Sequence, residues 1–129
     1  MSWKDFSQHA YDWFVNNLVP ASVTLQSAAT AMGNGTPYTP TTNMELTFVI
    51  TGAATARTIV FEMADPVKGV YVAWQAFRPA DSTLASTTAN GSDTAPETWQ
   101  VSVPAGYSFR ARISAITGSP VNVTGWAVA

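Results

Sequence analysis

Residues 43–51, NMELTFVIT, decide the fold. Met44, Leu46, Phe48 and Ile50 alternate with Glu45, Thr47, Val49 and Thr51. A strict period of two places the first set on one face of a β-strand and the second on the other. A strand with one apolar face is stable only when that face is covered by a second layer, so the rest of the chain must supply one. Working outward in both directions, the same period recurs in short runs bounded by Gly, Pro, Asn and Thr. Residues 22–29 place Val23 and Leu25 on one face, and residues 55–63 do the same with Ile59, Phe61 and Met63. Residues 69–77 read as one strand that sets Val70, Val72 and Trp74 against Tyr71, Ala73 and Gln75. Residues 98–103, 107–117 and 121–128 follow, with Trp99, Val101, Val103, Phe109, Ala111, Ile113, Val121 and Val123 as expected core positions. The long segment 79–97 has room for a short edge strand at 82–87. Residues 20–129 are therefore expected to form an antiparallel β-sandwich or jelly-roll-like domain of about seven to eight strands. No helical period separates the runs, which excludes a parallel α/β fold.

The segment before residue 20 has a different period. Ser2 followed by Asp5 resembles a capping box, and a helical advance puts Trp3, Phe6, Ala10, Trp13, Phe14 and Leu18 on one face. Lys4, Asp5, Gln8, Asp12 and Asn16 fall on the opposite face. Asn16, Asn17 and Pro20 end the pattern near Leu18. Residues 1–19 thus read as an amphipathic helix with an aromatic stripe, separate from the β domain. Its face, Trp3, Phe6, Trp13, Phe14 and Leu18, is the candidate partner-binding surface, either for the chain's own sheet or for another subunit. Asp5 and Asp12 on the polar face argue against a membrane-surface helix.

Composition narrows the function. The chain has 129 residues, of which 47% are hydrophobic and only 11% charged, with a formal net charge of -2. One ordinary domain is expected, with a surface rich in Ser, Thr, Asn and Gln. No basic block offers the electrostatic footprint of a nucleic-acid binder. Cysteine is absent, which removes disulfides, thiolate nucleophiles and Cys-based zinc sites together. No run approaches the roughly 18 apolar residues of a membrane helix, and Asp5, His9 and Asp12 interrupt any signal-type core, so neither membrane insertion nor Sec-type export is expected. The Asn-x-Ser/Thr triplets at Asn34, Asn90 and Asn122 read as turn and strand residues.

Residue types with chemical potential are scattered. His9, the single histidine, has no catalytic or metal-binding companion at a recognised spacing. Glu62, Asp65, Asp81, Asp93 and Glu97 are the acids available to a glycosidase-type pair or a loop-bound calcium, but Asp and Glu at these places read first as turn and surface residues. Gly33-Asn34-Gly35 and Asn90-Gly91 suit tight turns rather than a phosphate cradle. Arg110 and Arg112 emerge on one strand face, where Glu45 or Glu62 is the expected intrachain partner. Trp74, Trp99 and Trp126 fall in strand patterns, and an exposed member of the set offers a stacking platform for a sugar ring. No cofactor is expected and no enzymatic activity is indicated.

Two stretches carry a resemblance: VTLQSAATAMGNGT at 23–36 and YSFRARISAITGSPVNVTGWAVA at 107–129, with TARTIVFEMAD at 55–65 between them. These resemble small β-sandwich proteins encoded among the structural genes of tailed phages and prophages. The likeness covers most of residues 22–129 and leaves out the N-terminal segment. It departs where the family continues into a Gly-containing turn and a Trp, because this chain has Pro66, Val67 and Lys68. The resemblance implies a virion component made in the bacterial host cytoplasm: a capsid decoration, head-fibre, neck or tail subunit. Its implied partners are other virion proteins, as a homo-oligomer or bound to a lattice. The alternative is a carbohydrate- or receptor-binding module that contacts a host glycan.

Overall fold

A computed structural model describes residues 20–88 and 95–129. The N-terminal helix with its Trp3, Phe6, Trp13, Phe14 and Leu18 face, the Asn90-Gly91 turn and Asp93 lie outside the described residues. Nine strands occur among those described: β1 (Ala21–Ala29), β2 (Met44–Gly52), β3 (Ala56–Ala64), β4 (Tyr71–Ala73), β5 (Ala76–Arg78), β6 (Thr83–Ala85), β7 (Glu97–Val103), β8 (Ser108–Thr117) and β9 (Val121–Val128). They form a six-stranded sheet in the order β1-β9-β2-β7-β5-β6 and a three-stranded sheet in the order β4-β3-β8. Every pairing is antiparallel.

The alternation read from NMELTFVIT is the alternation observed, with Leu46, Phe48 and Ile50 fully buried on β2. The two layers meet through aromatic side chains. Phe48 and Trp99 come from the larger sheet and Phe61 and Phe109 from the smaller. Phe48 meets Phe61 edge-on with ring centres 5.4 Å apart, and Phe61 meets Trp99 edge-on at 4.9 Å. Edge-to-face geometry places the positive rim of one ring on the negative face of the other, adding about 0.5–1.5 kcal/mol per pair to the burial itself.

One expected strand is a correction. Residues 69–77 are not a single strand: β4 pairs with β3 in the small sheet, and β5 pairs with β6 and β7 in the large one. The chain crosses between layers at Trp74 and Gln75, so Trp74 lies between strands. Val70, just before β4, and Val72, within it, are 61% and 54% exposed, and β4 is a three-residue strand at the edge of the small sheet among the described residues. Splitting that segment and adding β6, which falls inside the expected 82–87 edge strand, raises the number above the seven to eight expected.

The chain crosses back after β6. The Ser86 carbonyl accepts from the Phe61 amide at 2.8 Å, while the Trp74 amide donates to the Phe61 carbonyl at 3.0 Å. One residue of β3 therefore fastens both stems of the β5–β6 hairpin. Residues 33–38 do similar work on the free side of β8. Gly33 pairs with Ile113 and Tyr38 with Phe109, so the segment between β1 and β2 protects a sheet edge. Gly35 at φ 67° makes the approach feasible, since a Cβ there would collide with the Leu25 carbonyl oxygen, which accepts from the Thr36 amide.

Candidate functional site

The charged side chains of the described region are largely engaged with one another. Glu62 of β3 stands opposite Arg110 of β8. Arg110 and Arg112 each donate through Nε to Glu62 Oε1 at 2.9 Å, which decides the sequence-level choice between Glu45 and Glu62. The Arg112 hydrogen bond, reinforced by that of Arg110, holds the Glu62 carboxyl below its usual range despite partial burial. The Tyr71 ring caps the group, with the Arg110 guanidinium 3.7 Å from its centre.

Asp65 accepts from the Val67 and Lys68 amides at 2.8 and 2.7 Å, closing the turn after β3, and the Lys68 bond is the chief reason its carboxyl is lowered. Asp81 is gripped by Arg78 through two bonds of 3.0 and 2.7 Å, which lowers the acid and raises the guanidinium. Glu97 is not a surface acid as read from the sequence. It is buried and lies between Arg78 Nη1 at 3.0 Å and the buried Arg57 Nη2 at 3.5 Å. No local pattern could reveal this, since its partners are 19 and 40 residues away. Among the described residues no cluster of three metal-ligating side chains occurs.

The three tryptophans separate. Trp99 is core, whereas Trp74 and Trp126 are 36% and 44% exposed. The pairing register aligns a row across the outer face of the large sheet. Thr47 stands between Trp126 and Gln100, Gln100 faces Phe77, and Phe77 faces Leu84. β5 meets β7 at that single position, because the chain enters from the other layer just before it, at Trp74 and Gln75, and turns into β6 just after. Beside this short pairing lies a hollow of about 590 Å³, walled by Trp74, Gln75, Phe77 and Leu84 on one side and Glu45, Gln100 and Ser102 on the other. The Ser102 hydroxyl donates to Glu45 Oε1 at 2.5 Å. This pair also borders a second hollow of about 360 Å³ beside Met44, Pro104 and Ala129. Sequence reasoning marked Trp74 as a stacking candidate but missed Glu45, Gln100 and Ser102, which reach the site from β2 and β7.

These layers, with a hairpin handed from one sheet to the other and back, define a two-layer antiparallel β-sandwich. Within that class the chain belongs to the XepA family, whose model matches residues 20–127. The solved structure of the SPBc2 prophage-derived protein YomS is similar, with a TM-score of 0.75 and 28% identity over 86% of this chain and 94% of that one. The PBSX exported protein XepA shares the fold with a TM-score of 0.76 and 22% identity, and this chain spans 38% of its length. No curated protein sequence matches the chain. The family is phage-related, in keeping with the resemblance in residues 23–36, 55–65 and 107–129.

Proposed function

We propose that the chain is a non-enzymatic phage virion protein that works through assembly contacts: a capsid decoration, head-fibre, neck or tail subunit. The observation that carries this reading is the exposed apolar flank formed by Val67, Val70 and Val72, of which Val67 is 90% exposed. Among the described residues β4, which carries Val72, is the edge of the small sheet, and an apolar edge strand is a ready template for a neighbouring chain. Family membership supports a phage setting, and Trp3, Phe6, Trp13, Phe14 and Leu18, whose spacing in the sequence is that of one helical face, are the second contact of this reading. Partners are other virion proteins or further copies of this chain.

Quantitative mass spectrometry of purified particles and of the cleared lysate tests this. A fixed ratio of this chain to the major coat protein supports the reading, and the size of the ratio separates a lattice role from a neck or tail role. Recovery only as free protein outside the particles overturns it and favours a protein released or exported by itself, in the manner of the relative described as the PBSX exported protein.

A further inference from the structure

We infer that the hollow beside Trp74 is a saccharide-binding site that takes an uncharged pyranose ring. It stands on the groove alone and holds whether or not the chain is carried on a particle. Its volume of about 590 Å³ is within the usual size for a small-ligand site, and its walls combine aromatic surface with convergent polar groups. Trp74 and Phe77 offer flat apolar faces of the kind that pack on the C–H face of a pyranose.

The polar groups fit hydroxyls. The side-chain amides of Gln75 and Gln100 hydrogen-bond to no described residue, and each can both donate and accept, as a sugar hydroxyl does. Glu45 is held by Ser102 through Oε1, leaving Oε2 to accept from a second hydroxyl. Among the described residues no Lys or Arg lines the hollow, so a phosphate or carboxylate ligand would face Glu45 with no counter-charge from them. The second hollow continues past the Glu45–Ser102 pair, which gives an oligosaccharide a further subsite along the sheet. The walls are preorganised, because Trp74 is anchored to the Phe61 carbonyl and Arg78 of the same hairpin is fixed by Asp81 and Glu97.

The full chain is titrated by calorimetry and by backbone amide NMR with three neutral probes: triacetylchitotriose, cellotriose and maltotriose. At least one should saturate with a dissociation constant on the order of 1 mM or tighter, shifting amides of residues 73–77 and 100–102. Trp74→Ala and Gln100→Ala change exposed side chains and should each weaken binding by about tenfold or more, whereas Trp126→Ala, on the same face but outside the hollow, should leave it unchanged. Circular dichroism confirms that each variant is folded, and Glu45→Gln gives an independent check at the opposite wall. No saturation by any probe overturns the inference. So does binding that Trp74→Ala and Gln100→Ala leave intact, or tighter binding of a uronic-acid trisaccharide than of its neutral counterpart.

Discussion

The main-chain carbonyl of Phe61 accepts a 3.0 Å hydrogen bond from the amide of Trp74, so a fully buried ring of β3 and the exposed ring at the groove are tied through their backbones. Phe61 also packs against Phe48 and Trp99 from the opposite layer. Phe61→Ala should therefore destabilise the fold by about 3–5 kcal/mol, the usual result of emptying an aromatic core site. Urea denaturation at neutral pH measures it, and a loss below about 1 kcal/mol would contradict the packing described.

Glu97 carries the second prediction. Glu97→Gln strips Arg57 and Arg78 of their shared carboxylate, and Arg57 is almost completely buried. Leaving a buried charge without compensation costs about 3–5 kcal/mol, so this variant should be among the least stable single substitutions at a polar position. Arg57→Met with Glu97→Gln removes both charges and should recover part of the loss, which a double-mutant cycle in urea reads directly.

The Glu62 cluster governs the acid limb. Because Arg112 and Arg110 hold the folded-state carboxyl below its ordinary value of 4.5, Glu62 contributes stability that is fully present above that value. As pH falls from there through the lowered folded value, the unfolded chain takes up the proton first and the contribution is lost. Glu62→Gln should lower stability at pH 7 by about 1–3 kcal/mol and flatten the decline below pH ~4.5. Thermal melts from pH 7 to pH 3 test the sign; an equally steep acid limb in the variant would contradict it.

Gly125 is held by space. A Cβ there would lie 2.6 Å from the Phe48 Cα and closer still to the Thr47 carbonyl oxygen, both main-chain atoms of the neighbouring strand. Gly125→Ala should cost about 3 kcal/mol or prevent folding, since β9 must move away from β2 to admit one methyl group. Melting temperature and the yield of soluble protein report it.

The valine flank makes the assembly reading specific. Val67→Asp and Val70→Asp change exposed positions and should alter stability by no more than about 0.5 kcal/mol. Under the proposed function they should sharply reduce incorporation into particles, counted as copies per coat protein. Normal incorporation of both folded variants would remove this flank from the assembly contact.

Most of the sandwich was legible because period-two alternation is local. Each of Leu46, Phe48, Ile50, Trp99, Val101, Phe109 and Ile113 announces its face through its immediate neighbours. The 69–77 segment misled for the same reason: alternation continues through Trp74 and Gln75 whether or not the chain stays in one sheet, and only the short pairing of β4 and β5 shows the change of layer. The salt-bridge choice of Glu62 over Glu45 depended on which strand lies beside β8. The groove was legible only in Trp74, since Glu45, Gln75, Gln100 and Ser102 become neighbours through strand order and the crossover.

Phe61 grips both stems of the β5–β6 hairpin, through its carbonyl to Trp74 and its amide to Ser86, and this defines how the native state breathes. Because the two stems share this anchor, the hairpin is expected to open as one cooperative unit with a shared opening free energy. In hydrogen exchange the amides of Phe61 and Trp74 should then lose protection together, and a molecule seated against Trp74 should slow both at once.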